Sequence, residues 1–269
     1  MLKETAAARQ QGLSQELFYP ISTRDRAIPA RLAGALGEQA RSARQDPEQA
    51  WRGQLRLTFR GSAGQGFGVF LTHGVSLHLF GEANDSVGKS MSGGQIVISP
   101  HPEARFAAAE QSILGNCALY GATGGRLYAQ GRAGDRFAVR NSGATAVVEG
   151  AGLHCCEYMT QGLVLVLGPV SDNAGAGMTG GVLFLYGDQA AQVNPAFLQE
   201  VPLNRANESE LKALLDDYLQ ATGSARARAI LADWAEHRQL FHRFVPLKQA
   251  QTELAGTAAP EAQITEKVR

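Results

Sequence analysis

Apolar positions along the chain fall into short alternating runs that end in glycine, or once in proline, at Gly81, Pro100, Gly131, Gly150, Gly168 and Gly187. The intervals between these anchors are 19, 31, 19, 18 and 19 residues. Four residues before them stand Leu77, Ile96, Leu127, Ala146, Val164 and Leu183. Two before them stand Leu79, Ile98, Ala129, Val148, Val166 and Leu185. Residues two apart in a strand share a face, so the pattern predicts two inward-facing apolar ladders with one strand per repeat. A period near 19 is too short for helical repeats. It suits parallel strands stacked at the roughly 4.8 Å spacing of neighbours. The long interval holds one period plus an insertion, 101–112, that reads as a short surface helix. The expectation is an all-β core: a parallel β-helix, a single-stranded solenoid of about six coils over 61–187, with flanking α-helices at both ends.

The column between the two ladders holds His78, Val97, Tyr128, Val147, Leu165 and Phe184, and should face outward. Five of these six are not what a solvated face carries, so either the chain's own helices or a partner must cover them. They form the candidate interaction face. Glycine, 31 of 269 residues, exceeds the roughly 7% average and is concentrated in the repeats, where tight corners need φ > 0. Asn84, Asn116, Asn141 and Asn173 stand where further such corners are expected.

The flanks divide the chain into an N-terminal helical extension (1–50), the repeat domain (51–200), a C-terminal helical segment (201–248) and a polar, disordered tail (249–269). A helix is expected to start near Pro29, and Trp51 to Arg60 reads as an entry strand. Leu211, Leu214, Leu215, Tyr218 and Leu219 lie at helical spacing. A second helix follows Thr222-Gly223-Ser224, with Ala227, Ile230, Leu231 and Trp234 on one face, and stops before Pro246.

Charge narrows the function classes. Twenty-five basic and 25 acidic residues give no net charge, which argues against a nucleic-acid binder or a membrane-surface protein. No apolar run approaches a bilayer span, and no signal peptide is read at the start, so a cytoplasmic protein is expected. Cys117, Cys155 and Cys156 have no metal-ligand spacing and read as free thiols. Gly175-Ala176-Gly177-Met178-Thr179-Gly180 matches G-x-G-x-x-G but runs into a strand where dinucleotide binding needs a helix, so it reads as a corner. Gly88-Lys89-Ser90 lacks the first glycine of a P-loop, since position 83 is Ala83. The six histidines lack metal-ligand spacing, and nothing pairs Asp135, Glu149 or Glu157 with a nucleophile. The expectation is no catalytic, cofactor-binding or metal residue in this chain.

Several collinear stretches carry a family resemblance: GSAGQGFGVF (61–70), GEANDSVGKSMSGGQIVI (81–98), ILGNCALYGATGGRLYAQGRAGDRFAVRNSGATAVVEG (113–150), CEYMTQGLVLVLG (156–168) and NAGAGMTGG (173–181). They resemble the GXGXG domain at the C-terminus of the glutamate synthase large subunit. STRDRAIPARLAG (22–34) and TGSARARAILADW (222–234) extend the resemblance, which covers roughly 20–246. Pro29 and Cys155 depart from the family's pattern.

The resemblance implies a right-handed parallel β-helix that serves as a structural module of a glutamate synthase-type complex in glutamate biosynthesis and ammonia assimilation. Its implied partners are a glutamine amidotransferase subunit and an FMN-binding glutamate synthase subunit, which would hold the FMN and the iron–sulfur cluster. A homo-oligomer is a further possibility, and neither nucleic acid nor membrane is an expected partner. Alternative settings are a scaffold of an N-methylglutamate synthase-like or formylmethanofuran dehydrogenase C-like complex. An independent β-helix enzyme is the alternative of another class. It would show a secretion signal and an Asp/Lys/Arg cluster, or strict hexapeptide periodicity with a catalytic His, and none of these is evident.

Overall fold

A computed structural model describes residues 1–43 and 51–257. The N-terminal part holds α1 (Ala6–Gln11), β1 (Gln15–Ile21) and α2 (Ala30–Ala43). The repeats supply β2 (Leu55–Ala63), β3 (Val75–Ala83), β4 (Ser92–Ser99), β5 (Ser112–Leu114), β6 (Gly124–Ala129), β7 (Arg132–Ala133), β8 (Ser142–Val148), β9 (Gln161–Val166) and β10 (Val182–Tyr186). Then follow β11 (Leu198–Glu200), α3 (Arg205–Thr222), α4 (Ala225–Ala232), α5 (Trp234–His237), β12 (Phe241–Pro246) and α6 (Leu247–Thr257).

The strands form one 12-stranded sheet in the order β1-β2-β3-β4-β6-β8-β9-β10-β12-β11, with β5 and β7 off this path. Pairing is parallel from β1 to β10, and β12 runs antiparallel to both β10 and β11. This corrects the expected all-β, right-handed β-helix. The architecture is an open, mixed and largely parallel sheet accompanied, among the described residues, by six α-helices. The flanks cause the difference. Gln15–Ile21 alternates inward Leu17, Tyr19 and Ile21 with outward Glu16, Phe18 and Pro20, so it pairs with β2 as an edge strand. Proline is tolerated there because an edge strand has N–H positions that need no partner. Phe241–Pro246 likewise joins β10 instead of continuing a helix, so His242 lies on a strand. The boundaries placed at 50/51 and 200/201 therefore do not separate sheet from helices.

The ladders are in register. Leu77 pairs with Ile96, then Leu127, Ala146, Val164 and Leu183, and Leu79 leads the parallel series ending at Leu185. All twelve side chains are fully buried. Leu57 and Phe59 extend the two columns toward β1. A third line runs through Ala83, Leu114, Ala133, Ala151 and Val170, joined by short parallel pairings and bridges. Ala8, Leu32 and Leu36 from α1 and α2 join the same core.

Smaller expectations also shift. The 101–112 insertion holds only a single turn of 3-10 helix, Ala108–Glu110. The tail expected to be disordered from 249 is helical through α6, anchored by a two-pronged ion pair from buried Arg243 to Glu253 at 2.6 and 3.1 Å. The remainder of that tail, 258–269, lies outside the described residues.

Candidate functional site

Parallel pairing brings the predicted interaction face together as one column, from His78 through Val97, Tyr128, Val147 and Leu165 to Phe184. It does not form a free surface. Tyr128, Val147, Leu165 and Phe184 pack with Leu211, Leu214, Leu215 and Tyr218 of α3 and Ile230 of α4 in a second apolar core. Helical spacing in α3 places those leucines on one stripe, and the stripe covers the column. Val97 is buried as well, and only His78 remains half-buried. Of the two covers the sequence left open, the chain's own helices supply the one over Tyr128, Val147, Leu165 and Phe184.

A polar network fixes this cover. Glu149 is buried, and Tyr218 donates to its Oε1 at 3.1 Å and lies 3.1 Å from the Ala129 carbonyl. Ser224 donates to the same Oε1 while its Oγ accepts the Ala227 N–H at 3.1 Å. One serine thus caps α4 and ties it to the sheet. Burial, then the neighbouring Glu149 carboxylate, pushes the Tyr218 hydroxyl well above its usual pKa. Tyr128 meets the Tyr218 ring edge-on at 5.8 Å, and burial raises its hydroxyl to about 12.

The glycine-rich turns have a regular geometry that the sequence only partly displays. Each of six turns places three alternate residues in the left-handed region, beginning with Gly66, Gly68 and Phe70. The next two are Ser86, Gly88, Ser90 and Cys117, Leu119, Gly121. The last three are Arg136, Ala138, Arg140, then His154, Cys156, Tyr158, then Asn173, Gly175, Gly177. Backbone bonds run from turn to turn in both directions. Ser86 N–H reaches the Asn116 carbonyl at 2.8 Å, while Leu119 N–H reaches back to Val87 at 2.7 Å. Alternating handedness aims successive N–H groups at opposite neighbours, which satisfies the backbone without ordinary strand geometry.

Only six of the eighteen left-handed positions are glycine, and none is Val, Ile or Thr. Valine appears only between them, at Val69, Val87 and Val139. Of the four asparagines expected at such corners, only Asn173 is left-handed. The others act through side chains: Asn116 Oδ1 accepts the Asp135 N–H at 2.8 Å, and Asn141 Oδ1 accepts the Ala144 N–H at 2.9 Å. Gly175 and Gly177 lie in the sixth turn, so the dinucleotide-like motif is a corner.

The outer edge of these turns is a strip missed by the hydrophobic period. Phe70, Tyr120 and Tyr158 are 55%, 37% and 52% exposed. The Lys89 ammonium stands 5.4 Å over the Tyr120 ring and the Arg140 guanidinium 5.8 Å over Tyr158. Arg136 pairs with Glu157 at 3.0 Å. The detectable signal was the repetition of left-handed-tolerant residues two apart, as in Gly66-x-Gly68 and Gly175-x-Gly177.

Elsewhere, an open cleft of about 730 Å³ lies where the ends of β9 and β10 meet α4 and α5. Tyr186 and His237 are hydrogen-bonded there at 2.6 Å, and Arg226 donates to the Leu167 carbonyl at 2.8 Å. Cys155 and Cys156 are buried with sulfurs 3.7 Å apart, and Cys117 is half-buried. The hydrogen bond to Cys155, with burial, raises the Cys156 thiol well above its usual pKa. The three cysteines do not fit an iron–sulfur cluster, and among the described residues no group of three or more His, Cys, Asp and Glu is arranged to hold a metal. Among the described residues no helix is long and apolar enough to cross a membrane.

The pattern that defines the GXGXG-motif family matches residues 1–247. The chain belongs to that family. It is 49% identical over 233 residues to ferredoxin-dependent glutamate synthase 2 of Synechocystis, covering 85% of this chain and 14% of that protein. It is 45% identical over 238 residues to the chloroplastic/mitochondrial ferredoxin-dependent glutamate synthase 1 of Arabidopsis thaliana, covering 87% and 14%. With the enzyme of Cyanidium caldarium it shares 48% identity over 242 residues, covering 88% and 15%. This GXGXG chain therefore spans about one seventh of the length of the curated relatives it matches.

Proposed function

We propose that the chain is a non-catalytic structural unit of a glutamate synthase-type assembly, bridging a glutamine amidotransferase polypeptide and an FMN-binding synthase polypeptide. The observation that carries this reading is how the repeats use their side chains. Leu77, Ile96, Leu127, Ala146, Val164, Leu183 and the parallel Leu79 series are all buried in one apolar core, so the ladders serve packing. The 42–49% identity to one continuous seventh of glutamate synthases supports the same setting. In this reading the FMN and iron–sulfur cluster reside in the partner polypeptides, and the assembly works in the cytoplasm.

The test is to purify the full chain alone and together with the amidotransferase and FMN-binding polypeptides of the same cell. The chain alone is expected to show no flavin absorbance and no glutamine hydrolysis. Together the three should elute as one complex, and withdrawing this chain should lower glutamine-dependent glutamate formation. Glutamine hydrolysis by the chain alone, or full activity without it, would overturn the proposal.

A further inference from the structure

We infer that the open cleft where β9 and β10 end beside α4 and α5 binds a zwitterionic α-amino acid with an apolar side chain, its carboxylate on Arg226 and its ammonium on Asp188. The site is separate from the covered column and independent of the assembly proposed above.

The first argument is that the cleft is braced. Gln189 ties its two strand ends together: Nε2 donates to the Gly168 carbonyl at 2.6 Å and to the Tyr186 carbonyl at 2.9 Å, and Oε1 accepts the Val170 N–H at 2.6 Å. Gly168 leaves room for Arg226, since a Cβ there would lie 2.4 Å from its Nη1. Gly187 is left-handed at φ +86°, and a Cβ on it would meet nothing within 4 Å, so this part of the rim is open. A volume of about 730 Å³ falls in the range of small-molecule sites and is far larger than a bare ion needs.

Charge supplies the second argument. Arg226 uses Nη1 on the Leu167 carbonyl at 2.8 Å, which leaves most of a forked donor set over. Among the described residues no carboxylate is ion-paired with it. Asp188 lines the same cleft and is exposed, and among the described residues it too has no ion-pair partner. One cleft therefore presents a cation and an anion that are not paired with each other. A simple carboxylate would answer only Arg226 and a simple amine only Asp188. A ligand with both charges on one small carbon frame answers the two together, and the guanidinium fork suits its carboxylate.

The remaining walls supply the third argument. Tyr186 and His237 close one side through their 2.6 Å hydrogen bond. Burial raises the Tyr186 hydroxyl above its ordinary pKa while Arg226 acts in the opposite sense, so phenol and guanidinium share one electrostatic neighbourhood and the phenol is neutral. Much of the other lining is apolar, with Pro169 and Ala229 exposed and Leu167 and Ile230 buried. An apolar ligand side chain gains from such a wall, whereas a polar one gives up water there for little return.

The test is ligand-observed saturation-transfer NMR on the full chain, with L-leucine as the probe. L-leucine should show saturable transfer to its methyl groups. Asp188→Asn and Arg226→Gln should each weaken binding about 10-fold or more, the scale of one hydrogen bond to a charged group. Isopentylamine, which lacks the carboxylate, and 4-methylpentanoate, which lacks the ammonium, should lose a similar factor, and L-glutamine should bind more weakly than L-leucine. Asp188→Asn changes an exposed side chain and should melt as wild type does, so it decides the matter even if Arg226→Gln, which also gives up the Leu167 contact, is less stable. No saturable binding of L-leucine up to about 10 mM would overturn the inference. So would undiminished binding by Asp188→Asn, or 4-methylpentanoate binding as tightly as L-leucine. The assay uses this chain alone, so its failure leaves the assembly standing.

Discussion

Ala118 and Ala138 allow the strain in the turns to be measured with a single substitution made twice. Both alanines are fully buried, they lie in adjacent turns, and the Ala138 N–H donates to the Ala118 carbonyl at 2.9 Å. They differ in backbone: Ala138 has φ +60°, and Ala118 is outside the left-handed region. Replacing either by glycine removes a buried methyl, worth about 0.8 kcal/mol. It also adds backbone entropy to the unfolded chain, worth about 0.5–1 kcal/mol. Ala118→Gly should therefore cost about 1.3–1.8 kcal/mol. Ala138→Gly recovers the roughly 1–2 kcal/mol that an L-residue loses in the left-handed region, so its net cost should be close to zero. Urea unfolding reads the difference directly. In a thermal melt this 1–2 kcal/mol becomes about 2–8 °C, from roughly 2–4 °C per kcal/mol for a chain of this size class. Because the two sites are neighbours in one stack, partial unfolding affects both alike. Equal losses in the two variants, or a larger loss for Ala138→Gly, would refute the claim that these turns hold residues against their preference.

Three further outcomes follow from single contacts. Gly81→Ala would drive its Cβ into the Gly61 carbonyl oxygen at φ +145°, and strain plus overpacking should cost about 3 kcal/mol or more in urea unfolding. Tyr218→Phe removes a donor from buried Glu149 and should cost about 1.5–3 kcal/mol, while a loss below about 0.5 kcal/mol would show that the network does not fix the helices. The Arg243 hydrogen bond holds Glu253 below its ordinary pKa of 4.5, so its contribution is present above 4.5 and lost as pH falls through the lower folded value. Glu253→Gln should therefore be less stable than wild type at neutral pH and converge with it in acid; a gap independent of pH would contradict this sign.

What was legible in the sequence was the part governed by the period of two. Both inner columns could be read because every member, from Leu77 to Leu185, is apolar and meets its neighbour at one fixed offset from a glycine or proline anchor. The edges were harder to read. Gln15–Ile21 and Phe241–Pro246 are single strands without a repeat to announce them, and each lies beside a helix-like segment whose composition dominates a local window. The first extends the parallel sheet and the second, antiparallel to its neighbours, makes it mixed, which is why the expected all-β coil gave way to a sheet with helices. The turns were half legible. Glycine marks one third of the left-handed positions, but Leu119, Cys156 and Arg140 carry no local sign of their backbone. Their conformation is imposed by the bonds to the turns on either side. Local propensity does not encode it.

The outer column and the turn strip stand in opposite relation to the fold. An apolar column from Val97 to Phe184 needs cover, and the chain supplies it from its own α3 and α4, locked by Tyr218 and Ser224 on one buried carboxylate. Those contacts are made inside the chain, so they stabilise the fold whether or not a partner is present. The strip has the opposite balance. Phe70, Arg140 and Tyr158 hold a costly backbone conformation and leave ring or charge in water, so the free chain gains little from their identity. Replacing Phe70, Arg140 or Tyr158 with glycine should therefore keep the fold, whereas the same change in the covered column should lose it, a contrast that urea unfolding reads directly.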